Sequence, residues 1–315
     1  MACWTTFSRG VLQSVLLEAT IARLGPDRVG CNRRLAGLSQ DERQVTGRFV
    51  SAEGETFRPS ADILVAADGI HSFARAAFYP DEGPPTYSGR ILWRATTWAA
   101  PFLTGASMIM AGHQDQKFVA YPIGAPGPDG LQQINWIAEL RVAQNLRRED
   151  WNRRGALDDF LPRFEDWRFD WLDVPGLIEG AEAVYEYPMV DRDPLTRWNH
   201  GRVTLLGDAA HPMYPIGSNG ASQAILDARA LAHALSAKAE PAAGLAAYEQ
   251  ARLSATAAIV LANRGNGPEQ CMQLAQERAP DGFDRVEDVF APGELEAMAA
   301  RYKVLTGLRA QEALQ

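Results

Sequence analysis

The first apolar pattern along the chain has the spacing of a helix. In SRGVLQSVLLEATIARLG, residues 8–25, apolar side chains recur every three or four positions and share one face. These residues are Val11, Leu12, Val15, Leu16 and Ala19. Ser8 can cap the start of the helix, and Gly25 with Pro26 ends it. The pattern predicts an amphipathic helix that packs against a core.

Two short apolar runs have no alternation, as expected of strands that are covered on both faces. ILVA at 63–66 is soon followed by an Asp-Gly pair, and VTLL at 203–206 is followed by a Gly-Asp pair. Ser72 is placed to cap a helix after the first run. The carboxyl ends of strands in an open α/β sheet bind ligands. Both runs therefore predict a strand-to-helix turn at a ligand-binding edge.

Between these turns the pattern changes to short β-rich runs separated by Gly/Pro turns. Residues 88–140 contain GRILWRATTWA, SMIMAGH, KFVAYPIG and LQQINWIAEL, which predict an antiparallel sheet. The Trp-rich segment at 150–174 is predicted to be helical, and AVYEYPMV at 183–190 predicts a last strand. The residues after Asn219 are helical in pattern.

Charge and cysteine usage exclude several functions. The 315-residue chain has a net charge of −8 and a sequence pI near 5.3, which argues against a nucleic-acid partner or an anionic membrane surface. The basic stretch at 147–155 also holds two acidic residues, and we interpret it as a solvated helix face. Cys3, Cys31 and Cys271 lack metal-ligand spacing, so we expect no metal site and a reducing, cytoplasmic setting. No run reaches the roughly 18 apolar residues of a membrane span.

The two strand-to-helix motifs, ILVAADGIHSFAR and GRVTLLGDAAHPMYPIGSNGASQAI, resemble two signatures of the class A flavoprotein monooxygenases, the family of para-hydroxybenzoate and salicylate hydroxylases. SRGVLQ, ILWRATT, INWI, DWNRRG and YPMVDRDPL resemble, more narrowly, its members that act on phenazine carboxylates. The resemblance covers nearly the whole chain. It implies FAD as cofactor, NADH or NADPH and O2 as co-substrates, and hydroxylation of an aromatic or phenazine-like substrate through a flavin hydroperoxide.

The resemblance also implies the fold, which is α/β (α+β overall). A partial Rossmann-like FAD-binding domain would comprise 1–87 and 188–265, with an inserted antiparallel β-sheet substrate domain at 88–187 and a C-terminal helical segment at 266–315. Family members open with a strand, a GxGxxG turn and a helix. No GxGxxG occurs in this sequence. We therefore expect the opening βαβ unit to be absent, FAD to be held weakly, and both apolar strands to lack neighbours.

The resemblance further implies which residues bind the cofactor. Asp208 would accept hydrogen bonds from the ribityl chain, and the loop at 215–220 would present helix N–H groups to the N1 and C2 edge of the flavin. Asp68 and Arg75 would lie near the pyrophosphate and the path of the nicotinamide. The implied cofactor-binding residues are Arg9, Gln13, Asp68, Gly69, Arg75, Gly207, Asp208, Pro215, Gly217, Ser218, Asn219 and Gly220.

The substrate pocket is expected to be aromatic. Its candidate residues are Trp93, Tyr121 and Trp136 on the antiparallel sheet, with Pro215 opposite. No catalytic side chain is assigned, because the cofactor carries the chemistry.

Each assignment has a simpler alternative. Asp208 caps a helix in an ordinary turn, Asp68 bonds its own loop, Arg75 pairs at the surface, and the aromatic side chains belong to the core. We interpret His211 as a structural histidine, because no serine or cysteine nucleophile pattern lies near it. For the whole chain, the alternative to an enzyme is a non-catalytic remnant or binding protein of the same family.

Overall fold

The computed structural model describes residues 9–142 and 153–307, with the backbone alone at Arg9. Its helices, in chain order, are α1 Arg9–Leu24, α2 Phe73–Phe78, α3 Val174–Glu179, α4 Gly220–Ala237, α5 Pro241–Arg264, α6 Gln270–Arg278 and α7 Glu294–Leu305. Its strands are β1 Arg34–Gln40, β2 Val45–Val50, β3 Thr56–Phe57, β4 Ser60–Ala61, β5 Leu64–Ala66, β6 Thr86–Ala99, β7 Ile109–His113, β8 Gln116–Pro122, β9 Gln132–Arg141, β10 Arg168–Phe169, β11 Leu172–Asp173, β12 Tyr185–Asp191, β13 Asn199–His200 and β14 Val203–Leu205. This mixture of helices and strands confirms the predicted α/β class.

The chain divides into two compact units. Unit 1 comprises Met1–Val29 and Tyr87–Met189, and unit 2 comprises Gly30–Thr86 and Val190–Gln315. The predicted domain bounds stay a prediction. They assign 88–187 to a substrate domain, 1–87 and 188–265 to an FAD-binding domain, and 266–315 to a C-terminal helical segment.

Unit 1 is built on a five-stranded sheet with the order β12–β6–β9–β8–β7. Strands β6, β9, β8 and β7 pair antiparallel, so the predicted antiparallel sheet is confirmed. The predicted last strand is confirmed as β12, which lies beside β6. One face of the sheet packs against Phe160 and Phe164, both fully buried. The prediction of a helix is wrong for most of the described part of 150–174, where short 3-10 turns and the β10–β11 hairpin precede α3. Pro162 and Pro175 lie at the starts of new turns, where the fixed proline φ favours helix initiation over continuation.

The first helix is confirmed as α1, but its predicted packing is wrong. Val11, Val15 and Leu16 are each 55% exposed. Helical spacing predicts where the apolar face lies, whereas the partner that covers such a face depends on distant parts of the chain. The helix ends before Gly25, whose φ of +89° is favourable only for glycine. Ser8 lies outside the described residues, as do residues 147–152 of the predicted solvated face.

Unit 2 contains a three-stranded sheet with the order β13–β14–β5. Strands β14 and β5 pair in parallel, with Val203 opposite Leu64 and Leu205 opposite Ala66. Both predicted apolar strands are therefore confirmed. The prediction that both faces are covered holds for β14 but is wrong for β5, where Val65 is 37% exposed. The expectation that they lack neighbours is wrong, since they pair with one another, although β5 forms an edge of the sheet within the described residues. A separate small sheet of β1–β4, which the sequence pattern did not predict, lies in the same unit.

Two features are absent from the part of the chain that the structure describes. No helix there combines the length and the apolar character needed to cross a membrane. No group of three His, Cys, Asp or Glu side chains in residues 9–142 and 153–307 is arranged to hold a metal ion.

Candidate functional site

Two aspartates leave the parallel strand pair of unit 2 at the same edge. Because β5 and β14 are parallel, their carboxyl ends coincide, and Asp68 and Asp208 follow those ends. We call residues 66–73 the first turn and residues 206–220 the second turn. Both turns occupy the edge at which the sequence predicts a ligand.

The second turn begins with a close approach between backbone and helix. Gly207 has a φ of +61°, and a Cβ added there would lie 3.3 Å from the Cβ of Ala224 in α4. Gly207 and Ala209 are buried, whereas Asp208 between them is exposed. The turn therefore holds its backbone inside the unit and directs one acidic residue outward.

A buried ionic network around Asp227 of α4 supports the second turn. Asp227 of α4 accepts a hydrogen bond from the Gly207 N–H at 3.2 Å and lies 2.5 Å from His211 Nε2. Arg252 Nε donates to the other oxygen of this carboxylate at 2.8 Å. Burial acts to raise the pKa of Asp227, but hydrogen bonds from His211 and Arg252 outweigh it and hold the pKa below its ordinary value. This geometry supports a structural role for His211, whose Nδ1 is buried without a hydrogen-bond partner in the described chain.

The structure places Arg75 inside the protein rather than at its surface. Its side chain is 1% exposed, and its guanidinium binds Glu82 and the backbone carbonyls of Ala209, Ala210 and Asp193. These partners use all five guanidinium N–H groups. The alternative of a surface pair is therefore wrong, whereas the expectation that Arg75 lies near the pyrophosphate stays a prediction. Arg75 instead ties α2 to the second turn.

The first turn is closed by its own side chains. Asp68 Oδ2 accepts a hydrogen bond from the Phe73 N–H at 2.9 Å, and Ser72 Oγ accepts one from the Arg75 N–H at 3.1 Å. Ser72 is thus the predicted N-cap of α2. Gly69, with a φ of +79°, makes the tight bend between the two caps. Asp68 here performs the loop-bonding role that was the alternative to cofactor binding.

A cavity of about 610 Å³ adjoins the first turn. Among its lining side chains are Asp68, His71, Arg33 and Arg34. Sequence reasoning missed the two arginines, because an Arg-Arg pair at the start of a strand carries no specific signal. Their guanidinium groups suit an anionic ligand.

The loop from Pro215 to Gly220 has an unusual backbone. Gly217 and Ser218 both have positive φ, at +67° and +54°. Asn219, at the N-cap position of α4, makes no side-chain hydrogen bond to that helix. Its Nδ2 donates instead to the Gly217 carbonyl and to the hydroxyl of Tyr302, each at 2.9 Å. The N–H groups at the start of α4 are thus left without a side-chain cap.

The sheet of unit 1 separates the predicted pocket residues onto opposite faces. Trp93 is 3% exposed and Trp136 is fully buried, and both belong to the core with Phe160. Their expected role as pocket walls is wrong, because strand alternation directs them into the covered face. Tyr121 pairs with Asn135 on the other face, and both are partly exposed.

Asn135 was missed by sequence reasoning, although the alternation of QQINWIAEL carries the signal. Its Nδ2 is buried and has no hydrogen-bond partner among the described residues. Pro215 is exposed in unit 2, and Gln13 is exposed on α1 in unit 1. The side chain of Arg9 lies outside the described atoms, so cofactor binding by Arg9 and Gln13 stays a prediction.

Comparison with known proteins decides the family. The model of the FAD binding domain family matches residues 4–263. The chain belongs to this family. The resemblance seen in the two strand-to-helix motifs is thereby confirmed, and the second turn, with Asp208, falls within the matched range.

Relatives of the family include a phenazine 1,6-dicarboxylic acid hydroxylase, PhzS, of Lysobacter antibioticus, which is 46% identical over 265 residues, 81% of this chain and 64% of the relative. Aurachin C monooxygenase/isomerase of Stigmatella aurantiaca is 33% identical over 79% of this chain and 60% of its own length. The crystal structure of Klebsiella pneumoniae HpxO complexed with FAD and uric acid shares the fold, with a TM-score of 0.66 at 20% identity, over 93% of this chain and 67% of that one. The chain therefore spans less than two thirds of the length of these two sequence relatives.

The residues present fit an FAD molecule on three counts. Asp208 is exposed at the strand end. The start of α4 has N–H groups that Asn219 does not cap. The cavity beside the first turn carries two arginines. An acceptor for hydroxyls, donors for a flavin edge and cations for a diphosphate are the groups that FAD requires.

Proposed function

We propose that this chain forms the flavin-facing turn and the substrate sheet of an FAD-dependent, NAD(P)H-consuming monooxygenase. Its substrate is an aromatic or phenazine-like compound, and O2 is the second substrate. The scattered cysteines favour a reducing, cytoplasmic setting. Asp68, Gly69, Gly207, Asp208 and the 215–220 loop remain the proposed cofactor-binding residues, with Asp68 acting through its loop.

The second turn carries this proposal. Asp208 is exposed between two buried residues at the carboxyl end of β14, and ligands of open α/β sheets bind at this edge. The ribityl hydroxyls of FAD are suitable donors to this carboxylate, and bonds to a charged acceptor are stronger than neutral ones. The uncapped start of α4 supplies N–H groups and a partial positive charge for the flavin edge.

The partly exposed face of the unit 1 sheet is the proposed substrate surface. Tyr121 offers an aromatic ring, and Asn135 offers an unpaired N–H donor directly opposite it in the strand register. A buried donor without a partner is unfavourable until an acceptor binds, so this position favours a ring that carries an oxygen or nitrogen acceptor. The name of the Lysobacter relative, a phenazine dicarboxylic acid hydroxylase, supports a fused aromatic acid.

When bound, FAD supplies hydride acceptance and oxygen activation. The residues of the chain supply position and charge. Asp208 would orient the ribityl chain, and the N–H groups at the start of α4 would stabilise negative charge at the flavin edge. Asn135 and Tyr121 orient the substrate ring and exclude water from it.

The activity is tested by following oxidation of NADH and NADPH by the FAD-loaded protein, with and without planar aromatic acids, including a phenazine carboxylate. We expect oxidation to accelerate with an accepted aromatic acid and to need no added metal. Asn135→Ala should raise the KM for that acid more than it lowers kcat. Equal rates with and without every aromatic acid would remove the hydroxylase proposal.

The alternative to the enzyme is a non-catalytic remnant or binding protein of the same family. The DNA upstream of the Met1 codon discriminates between the two. An in-frame GxGxxG there supports the enzyme. A stop codon before any such motif, together with no FAD-dependent oxidation, supports the remnant.

A further inference from the structure

The start of α4 departs from the usual behaviour of an asparagine at a helix N-terminus. Asparagine is among the preferred N-cap residues because its side-chain oxygen accepts an N–H of the first helical turn. Asn219 occupies that position and is 4% exposed, yet it makes no such bond. Its side chain is directed to the Gly217 carbonyl and to Tyr302 instead.

Tyr302 connects the loop to two helices. This residue of α7 donates its hydroxyl hydrogen to Asn263 Oδ1 at 2.8 Å and accepts a hydrogen bond from Asn219 Nδ2. Asn263, in the last turn of α5, is fully buried and donates to the Tyr214 carbonyl at 3.1 Å. The chain of bonds from Asn263 through Tyr302 to Asn219 fixes the orientation of the Asn219 amide.

The backbone of the loop requires this support. Ser218 has a φ of +54°, a conformation that is unfavourable for a residue with a side chain and persists only where neighbours enforce it. Gly217 lies so close to the Tyr302 hydroxyl that no Cβ fits there. Its N–H donates to Glu269 Oε1 at 3.3 Å, so a second residue from the C-terminal part of the chain also holds the loop.

We propose that Tyr302 is a positioning residue that diverts Asn219 from α4 and thereby keeps the first N–H groups of the helix available to the flavin edge. That the ligand is a flavin rests on the proposed function. That Tyr302 holds the Asn219 side chain away from α4 rests only on contacts within unit 2. Tyr302 lies beyond residue 263, where the match to the family ends, so the family match does not assign it a role.

The proposal predicts an effect opposite in sign to that of a merely structural tyrosine. In Tyr302→Phe the ring still fills its site, but Asn219 loses its partner and can rotate to accept the Ser222 N–H. Hydrogen exchange at Ser222 in the flavin-free chain should then slow by about fivefold, the strength of a typical N-cap. A tyrosine that only stabilises the fold predicts faster exchange on substitution.

The matched control is Tyr79→Phe. Tyr79 donates its hydroxyl to the Arg197 carbonyl at 2.7 Å in the same unit, away from the loop, so this variant should leave Ser222 exchange unchanged. Asn219→Ser is a second variant, because serine caps a helix but is too short to reach Tyr302; it should also slow exchange at Ser222. NMR exchange rates and urea midpoints are measured for all three variants.

A titration with free FAD, followed by flavin fluorescence, completes the test. We expect Tyr302→Phe and Asn219→Ser to raise the dissociation constant about fivefold and Tyr79→Phe to leave it unchanged. Unchanged or faster exchange at Ser222 in Tyr302→Phe overturns the inference and leaves the proposed function standing. Slower exchange in a protein whose variants, and wild type, all fail to bind FAD supports the diversion and counts against the proposed function.

Discussion

The first and second turns have the same plan in sequence, an apolar strand that leads through an aspartate and a glycine into a helix, but the two helix starts differ. In the first, Asp68 and Ser72 bond the N–H groups of Phe73 and Arg75, so the helix start is closed by its own side chains. In the second, Asp208 is exposed and Asn219 is directed away from its helix. A strand-end aspartate therefore does not by itself indicate a ligand. The two turns differ in whether the N-cap residue bonds its own helix, as Ser72 does and Asn219 does not.

The two turns are also coupled. Arg75 starts from the helix of the first turn and bonds the carbonyls of Ala209 and Ala210 in the second. Arg75 thus anchors the second turn, which we call the open turn, to the first, which we call the closed turn. Substitutions in the two turns distinguish the role of the first as an anchor from the role of the second as a ligand site.

The largest effect is expected for Arg75→Met. The change removes a buried cation from Glu82 and leaves two carbonyls of the second turn without their donor, so the free energy of unfolding should fall by about 3 kcal/mol. Urea denaturation measures it. Arg285→Met is the control, because its pair with Glu287 is about 70% exposed on both sides and should contribute less than about 1 kcal/mol. Equal losses in the two variants would remove the anchor role.

Asp227→Asn should weaken the support beneath the second turn. At pH 7 we expect a loss of about 2 kcal/mol, because Arg252 and His211 lose a buried charged partner. The pKa of Asp227 is held below its ordinary value, so its stabilising contribution is present above about pH 4 and is lost as the pH falls through the lowered pKa. Urea unfolding from pH 7 to pH 3 should show the gap between wild type and variant closing in acid. A constant gap would contradict the assignment.

Local sequence patterns predicted the elements that depend on neighbours along the chain. The strands β5 and β14 and the Ser72 cap follow from a few adjacent residues. The same patterns did not predict the side-chain contacts that depend on residues far away in the sequence. Nothing near Asn219 indicates Tyr302, 83 positions later, and nothing in Arg75 indicates that its partners are carbonyls 134 and 135 positions away.

The sheet of unit 1 shows a different kind of error. The aromatic character of Trp93 and Trp136 favours a pocket, but their position in the alternation decides their environment. In QQINWIAEL the apolar members Ile134, Trp136 and Ala138 share one face, which leaves Asn135 on the other. The period of two in this strand therefore distinguishes the core face from the candidate substrate face, and the aromatic character of single residues does not.

The smallest effect is expected for Asp68→Ala. Loss of the bond to the Phe73 N–H should lower the free energy of unfolding by about 1 kcal/mol, the usual contribution of such a cap. Thermal or urea unfolding measures it. A loss near zero would mean that Ser72 alone closes the first turn.

The contrast between the closed and the open turn is tested most directly by FAD affinity in a matched pair of aspartate variants. Asp208→Ala should raise the FAD dissociation constant about tenfold to a hundredfold, because the ribityl hydroxyls lose a charged acceptor. Asp68→Ala, which removes the same group from the closed turn, should raise the constant far less, because Asp68 acts on the cofactor only through its loop. If Asp208→Ala binds FAD as tightly as wild type, or if the two variants lose affinity equally, the second turn is not the flavin site and the account is contradicted.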